Sequence, residues 1–279
     1  RQRHASFIFW EEMSQKYQNS IPPAHPSLNT LERYHSLTKE ARGDGDLAVV
    51  LGSTPELRSI AANYFKKILI VDFSPSMLRM TNSLLEEQVL AKEKHCLLDW
   101  LNVDAACAPK TVDLVLGDSV FKQLRPHLWM RFLGGIVSIL KTRGSFITRV
   151  RLQKKYWRAA PLTEIMKQSL AEWKNGRTDA AGAFVFRLYD KLADTEPNVA
   201  LHRHLKEINA ALNLFPEQDQ WFFKRALAAF HPRPVVWTHV EKEIFETMVG
   251  KYFSIENKYY THDYLDADAF PIYILQSLE

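Results

Sequence analysis

The chain has 279 residues, 46% of them hydrophobic, and a formal net charge of +4 at pH 7. This is enough apolar sequence for a sizeable core, but the apolar runs are far shorter than the roughly 18 residues of a membrane helix. No signal-peptide pattern opens the sequence, and Cys96 and Cys107 lack a zinc-site spacing to histidine. We therefore expect a globular, cytoplasmic protein with no membrane partner and no metal.

Residues 1–46 predict an amino-terminal helical lid. Trp10, Met13 and Tyr17 recur at helical spacing within residues 4–18, and a second helical pattern begins at Leu28, after the prolines of "IPPAHPS". The segment "ARGDGD" then predicts a turn.

Residues 47–150 alternate short apolar runs with amphipathic helical patterns. The five runs cover 47–53, 68–74, 95–101, 112–118 and 144–150, and the helical patterns cover 55–65, 75–90 and 126–140. Buried strands that alternate with crossover helices form a parallel sheet with both faces covered. This region therefore predicts the core of a doubly wound α/β domain.

Residues 151–237 show only helical patterns, and they predict a helical cap inserted into the core. We expect most of its aromatic residues to form the cap's own core and the others to line an acceptor pocket. Residues 238–279 then predict a helix over 239–252 and closing strands at 254–262 and 270–278.

A basic stretch joins the core to the cap, because seven basic residues and no acidic residue lie between Lys141 and Arg158. The pattern is typical of a solvated face, although it could also attract an anionic substrate or a nucleic acid. Within it, Arg149 and Arg151 could bind an acceptor carboxylate or serve as surface charge.

The turn after the first strand, "GSTPE", is where such a sheet binds its ligand. Gly52 permits close backbone approach, Thr54 can cap the next helix with Pro55 at its first position, and Ser53 and Glu56 have capping-box spacing. A dinucleotide fingerprint needs three glycines, and this turn has one. The sequence therefore disfavours a nicotinamide-dependent oxidoreductase.

The second strand ends in a residue suited to a nucleoside. Asp72 can accept hydrogen bonds from both hydroxyls of a ribose, and Phe73 and Met77 can pack against a base.

The order of five motifs resembles class I S-adenosylmethionine (SAM) dependent methyltransferases. The motifs are "VVLGSTPE", "VDFSPSML", "LLDWLNVD", "VDLVLGDSVF" and "LKTRGSFITRV". Residues 239–278 resemble the closing β-hairpin of that fold. The resemblance implies a seven-stranded, mostly parallel sheet in the order 3-2-1-4-5-7-6, SAM as cofactor, and methyl transfer as the activity.

The resemblance also implies contacts to each part of SAM. Gly52, Ser53 and Thr54 would line the methionine moiety. Asp72 would hold the ribose, with Phe73 and Met77 beside the adenine.

The third and fourth motifs supply the remaining contacts that the resemblance implies. Asp99 would face the adenine amino group and Trp100 would flank the ring. Asp118 and Ser119 would lie beside the sulfonium and the incoming acceptor.

The first motif departs from the family pattern, acidic-x-Gly-x-Gly-x-Gly. Val50 occupies the acidic position, and Thr54 and Glu56 replace two glycines. Another residue must therefore hold the ammonium of SAM, and the candidates are Glu56, Asp118, Tyr17 and Tyr34.

We expect an N- or O-methyltransferase of a small molecule, with specialised metabolism as one setting. Methyl transfer is an in-line displacement that does not require a dedicated base, so the sequence names only His239 and Asp118 as weak catalytic candidates. One alternative is an RNA or protein methyltransferase that uses the basic stretch, although no RNA-binding module supports a nucleic-acid partner. The other is a scaffold that has lost cofactor binding.

Overall fold

The structure is a computed structural model, and it describes residues 2–14, 17, 20–42, 45–193, 198–228 and 236–278. The helices of this part of the chain are α1 Gln2–Met13, α2 Leu28–Ala41, α3 Pro55–Tyr64, α4 Pro75–Asn82, α5 Glu87–Leu90, α6 Pro126–Ile139, α7 Lys155–Ala159, α8 Leu162–Lys174, α9 Ala180–Leu192, α10 Leu205–Leu212, α11 Glu217–Ala228 and α12 Lys242–Val249. The strands are β1 Leu47–Leu51, β2 Lys67–Asp72, β3 Glu93–Leu97, β4 Val112–Asp118, β5 Leu140–Arg149, β6 Asn198–Val199, β7 Trp237–Thr238, β8 Phe253–Tyr259 and β9 Ile272–Ser277.

Seven strands form one sheet in the order β3-β2-β1-β4-β5-β9-β8. The first five are parallel, and β9 runs antiparallel to both β5 and β8. Numbered within this sheet alone, the order is 3-2-1-4-5-7-6. The predicted doubly wound fold and strand order are confirmed.

The sheet is buried on both faces, as the continuous apolar runs predict. In β1, Val49 and Leu51 join a core that includes α6 and α12, whereas Ala48 and Val50 join the core with α2 and α3 on the other face. Val50 stands at the acidic position of the first motif and has no exposed surface. Its side chain therefore serves the sheet core.

Some predicted boundaries were wrong. The third strand spans Glu93–Leu97 rather than 95–101, because this edge strand is largely exposed and the apolar residues after it, Trp100 and Leu101, belong to a buried 3₁₀ segment. The helix predicted over 75–90 is two helices, α4 and α5. The fifth strand begins at Leu140, earlier than predicted, and has an irregular register against β4.

The insertion contains α7 to α11, but it is not purely helical. Asn198 and Val199 pair with Thr238 and Trp237 in a two-stranded antiparallel ribbon. Two residues per strand are too few for a periodic pattern, so this ribbon could not be predicted from periodicity. Within the helical patterns of residues 151–237, the one over 217–230 forms α11, Glu217–Ala228; positions 229 and 230 lie outside the described residues.

The lid and the insertion share a core. Phe9 of α1 packs against Trp237 of the ribbon with ring centroids 5.5 Å apart, in a buried cluster that also contains Phe184 and Phe223 of the insertion. Among the residues that the structure describes, no helix is both long enough and apolar enough to span a membrane.

Candidate functional site

A cavity of about 580 Å³, partly open to solvent, lies at the carboxyl edge of the sheet. It is bordered by the turns after β1, β2 and β4, by the 3₁₀ segment after β3, and by the lid. Nine of the twelve predicted cofactor residues line it: Gly52, Ser53, Thr54, Asp72, Phe73, Met77, Trp100, Asp118 and Ser119. The other lining residues are Trp10, Tyr17, Ala24, Leu51, Lys122 and Gln123.

The turn after β1 uses its glycine for backbone conformation. Gly52 has φ +87°, a region that glycine adopts without strain, and an added Cβ would lie 3.4 Å from the Trp100 ring. Trp100 is fixed by a 2.8 Å hydrogen bond from its Nε1 to the carbonyl oxygen of Val71. The indole therefore forms a wall of the cavity directly against the turn.

The predicted capping box at the start of α3 does not form. Thr54 is the N-cap residue but makes no side-chain capping bond. The Ser53 hydroxyl donates instead to Asp72, and Glu56 pairs with His25, with 2.7 Å between Oε1 and Nε2. Both side chains are committed to tertiary contacts.

Asp72 ends β2 and is held by two donors. Its Oδ1 accepts a 2.8 Å bond from the Ser74 amide, and its Oδ2 accepts from Ser53. The residue is only 7% exposed, and burial raises the pKa of its carboxyl above the ordinary value despite these hydrogen bonds. Because a carboxylate can accept about four hydrogen bonds, acceptor capacity remains for a ligand.

Asp118, at the end of β4, forms a bidentate ion pair with Arg149 of β5. Nε lies 2.6 Å from Oδ1 and Nη2 lies 2.9 Å from Oδ2. Burial by itself would lower the pKa of Arg149, but the carboxylate of Asp118 outweighs burial and raises that pKa. Arg149 is fully buried, so it is neither surface charge nor a free ligand for an acceptor carboxylate.

Ser119 follows with a left-handed backbone, at φ 55°. Its amide donates a 2.9 Å bond to the Arg149 carbonyl. Ser119 lines the cavity, and its Oγ is buried without a hydrogen-bond partner among the described residues. This hydroxyl is therefore available to a ligand.

Three of the twelve predicted cofactor residues lie outside the cavity lining. Tyr34 is fully buried, and its hydroxyl donates to the Gly117 carbonyl at 2.8 Å and accepts from the Arg149 amide at 2.6 Å. Asp99 accepts a 3.0 Å bond from the Leu101 amide and starts the 3₁₀ segment. Glu56 faces the lid residue His25, and its Oε2 is buried with no hydrogen-bond partner in the described part of the chain.

One carboxylate attaches helix α1 to the start of α4, beside the cavity. Glu11 accepts hydrogen bonds from the Ser74 hydroxyl at 2.6 Å, from the Ser76 amide at 3.2 Å and from the Ser76 hydroxyl. These bonds outweigh the effect of burial and lower the pKa of Glu11. The sequence had no local signal for this contact.

A second cavity of about 520 Å³ adjoins the first. The two share Trp10, Tyr17, Ala24 and Lys122, and the second is otherwise lined by Phe9, Met13, Ser20, Phe186, Tyr189 and Trp237. We call this second cavity the aromatic chamber. Sequence reasoning missed Lys122, for which the only signal was a lysine four residues after Asp118.

His239, a predicted base candidate, lies behind the chamber wall. It is fully buried and contacts the ring of Tyr189 at 5.0 Å between centroids. Its Nδ1 is 3.3 Å from Oδ1 of Asp190, yet burial lowers the pKa of His239 to about 4. Because it lines neither cavity, it is not placed to act on a ligand there.

The basic stretch is largely neutralised. Arg151 is buried and paired with Asp190. Lys141 pairs with Asp113 at 2.5 Å. In all, six of the seven basic residues form ion pairs: Lys141, Arg149, Arg151, Lys154, Lys155 and Arg158. The stretch therefore does not form a continuous basic surface. In the described part of the chain, no group of three or more histidine, cysteine, aspartate or glutamate residues is arranged to hold a metal ion.

Comparison with solved structures shows the fold class. The chain resembles a Rhodobacter sphaeroides protein described as a candidate Zn-dependent alcohol dehydrogenase (16% identity, TM-score 0.61, 98% of each chain covered). It also resembles 1,6-didemethyltoxoflavin-N1-methyltransferase of Burkholderia thailandensis (8% identity, TM-score 0.54, 99% of this chain and 90% of that chain). A third is a SAM-dependent methyltransferase of Methanosarcina mazei (8% identity, TM-score 0.52, 84% and 93%).

No protein-family model matches the sequence, and no curated protein matches it. The sheet order and these structures together identify the Rossmann-like methyltransferase fold. At such identities the likeness shows the fold alone.

Proposed function

We propose that the protein is a SAM-dependent methyltransferase that methylates nitrogen or oxygen of a small-molecule acceptor. The observation that carries this proposal is the convergence on one cavity of a positive-φ glycine, a buried carboxylate ending β2, and the Asp118–Ser119 turn after β4. In an open α/β sheet this edge is where ligands bind.

The nucleoside end of SAM fits the part of the cavity formed by the turn after β2, the start of α4 and the 3₁₀ segment. Asp72 offers its remaining lone pairs to the ribose hydroxyls. Phe73, Met77 and Trp100 line the adjacent space and supply apolar contact for the adenine.

The methionine end fits the turns after β1 and β4. Gly52 allows the ligand close to the backbone, and the unpartnered Oγ of Ser119 provides a polar contact. Glu56 and Tyr34 lie elsewhere, so Asp118 and Tyr17 are the cavity residues that we assign to the ammonium. The Asp118 carboxylate supplies the negative charge, although Arg149 already offsets part of it.

When bound, SAM supplies a methyl group on a sulfonium, which is a strong electrophile. The chain's own contribution is to orient the acceptor and to exclude water. Helix α1 covers the cavity and is fixed by Glu11, so the lid provides that exclusion.

A small acceptor is favoured over RNA or protein because the adjoining chamber is confined and aromatic. The neutralised basic stretch offers little attraction for a nucleic acid, whose binding depends on unpaired lysines and arginines.

Isothermal titration calorimetry with SAM and S-adenosylhomocysteine (SAH) tests the proposal. We expect both to bind, and Asp72→Ala to weaken binding at least tenfold because the ribose contact is lost. Asp104→Ala, at an exposed position of the 3₁₀ segment, is the matched control and should bind as wild type. Failure of the folded protein to bind either compound would overturn the proposal in favour of a scaffold.

A further inference from the structure

The aromatic chamber has one charged group among the described residues that line it. Phe9, Trp10, Phe186, Tyr189 and Trp237 supply the aromatic surface. Lys122 borders both this chamber and the first cavity, which we call the cofactor cavity. Its side chain therefore lies where a molecule in the chamber would face a ligand in the cofactor cavity.

The ammonium of Lys122 packs against aromatic rings rather than against a counter-ion. Its Nζ lies 5.3 Å from the ring centroid of Phe186 and 5.2 Å from that of Trp237, at the distance of cation–π contacts. No hydrogen bond or ion pair joins it to any residue within the described ranges. The carboxylate of Asp118, which attracts it at longer range, is already engaged with Arg149 on both oxygens.

The surroundings weaken the protonated form of Lys122. Burial lowers its pKa to about 8, with Arg149 and Arg151 acting in the same direction and Asp118 opposing them. Tyr17 and Tyr189 also border the chamber, and burial raises the pKa of both phenols, so they remain neutral. An anion in the chamber would therefore find one positive partner and no negative competitor among its described walls.

We propose, building on the methyltransferase function above, that the acceptor is a planar aromatic molecule with an acidic O–H or N–H, and that Lys122 is the catalytic residue that receives its proton. The rings of Phe186 and Trp237 provide flat apolar contact for such a molecule. The ammonium of Lys122 provides the charge complement of its deprotonated atom.

The proton and electron balance is simple. The acceptor's O–H or N–H bond breaks, and its proton passes to the amine form of Lys122. The electron pair freed on the acceptor forms the new bond to the methyl carbon, while the pair of the sulfur–methyl bond stays on sulfur and cancels its charge. The proton on Lys122 then leaves to solvent, so no further reactant is required.

The test uses 4-nitrophenol, an acidic phenol whose colour reports its ionisation, with 4-nitroanisole as the neutral methylated counterpart. Both are titrated into the full chain in the presence of SAH. We expect 4-nitrophenol to bind as the phenolate, with its apparent pKa lowered by the protein, and to bind at least tenfold more tightly than 4-nitroanisole. We expect Lys122→Met to abolish the pKa shift of the dye and the preference for 4-nitrophenol, while SAH still binds and shows that the variant is folded.

Two further variants separate charge from folding. Lys122→Arg keeps a cation that does not give up its proton at neutral pH, so it should retain phenolate binding but lose methyl transfer to an acceptor that is still protonated at the assay pH. Lys155→Met, at a surface lysine 67% exposed, is the matched control and should behave as wild type.

The two proposals fail in different ways. If SAH binds but 4-nitrophenol binds no better than 4-nitroanisole, or binds Lys122→Met equally well, the acceptor inference is overturned and the methyltransferase proposal stands. If the dye shows the Lys122-dependent shift while neither SAM nor SAH binds, the chamber is an aromatic-anion site and the methyltransferase proposal fails.

Discussion

The ion pair between Asp118 and Arg149 supports both the sheet and the candidate site, and its removal has a calculable cost. The guanidinium has no exposed surface. Besides Asp118, its hydrogen-bond partners among the described residues are neutral, the Tyr264 hydroxyl at 3.3 Å and the Pro23 carbonyl at 3.1 Å, and it lies 5.4 Å from the ring centroid of Phe270. Asp118→Asn would therefore leave a positive charge buried without a counter-ion.

Breaking a buried pair from one side costs about 3–5 kcal/mol. Asparagine keeps one carbonyl oxygen that can accept from Arg149, so we expect Asp118→Asn to destabilise the protein by about 3 kcal/mol. With about 2–4 °C of melting temperature per kcal/mol for a domain of this size, the midpoint should fall by about 6–12 °C.

The opposite change should cost less. Arg149→Met leaves the carboxylate of Asp118 on the wall of a cavity that water can enter, so that charge can be solvated. We expect a loss of about 2 kcal/mol, and we expect the double variant to lose at least about 1 kcal/mol less than the sum of the two single losses.

Urea unfolding at pH 7, followed by tryptophan fluorescence and by circular dichroism, measures these free energies. Asp46→Asn is the control, because the Lys66–Asp46 pair is exposed on both sides and should leave the midpoint unchanged. The reasoning is refuted if Asp118→Asn unfolds at the wild-type urea concentration, or if the two single losses simply add.

Three further predictions concern the site and its lid. Burial raises the pKa of Asp72, so the charged carboxylate destabilises the folded state at pH 7. Asp72→Asn should therefore raise the free energy of unfolding at pH 7, and this gain should vanish as the pH falls below 3.8, the ordinary pKa of aspartate. The same variant should weaken SAH binding, measured by calorimetry. Burial lowers the pKa of His239 from 6.5 to about 4, so the folded state should lose up to about 3 kcal/mol as pH falls through that range; urea unfolding of His239→Phe across it should show a smaller loss. Glu11→Ala removes the bonds to Ser74 and Ser76, so limited proteolysis should cut α1 faster while the global unfolding midpoint stays within measurement error.

The central sheet was predictable because its signals are local. In β1, β2 and β4 nearly every residue is buried, so apolar runs mark them directly, and the helices between them begin at proline, as in α3, α4 and α6. The edge strand β3 was misplaced because none of its five residues is fully buried and three are exposed. Pattern reasoning succeeds where burial is complete and fails at the margins of the sheet.

The site was only partly predictable, because several of its contacts join distant segments. Asp72 and Asp118 are the last residues of strands and Ser119 follows one, so they could be found from position alone. Lys122 could not, since its environment is made by Phe186 and Trp237 of the insertion. The neutralisation of the basic stretch was also unpredictable from the sequence. Its carboxylate partners are spread between positions 113 and 268, and counting charge along the chain does not reveal which residues pair.

The first turn explains how one glycine can be enough. A glycine is needed only where the backbone has positive φ or where a Cβ has no room, and Gly52 meets the first condition and lies in contact with Trp100. Glu56 occupies a helical position in α3 and turns its carboxylate to His25 of the lid, so a side chain there obstructs nothing in the cavity. The departures from the glycine-rich pattern are thus compatible with a ligand at this turn, and under the proposed function Asp118 and Tyr17 are the residues that would hold the ammonium of SAM.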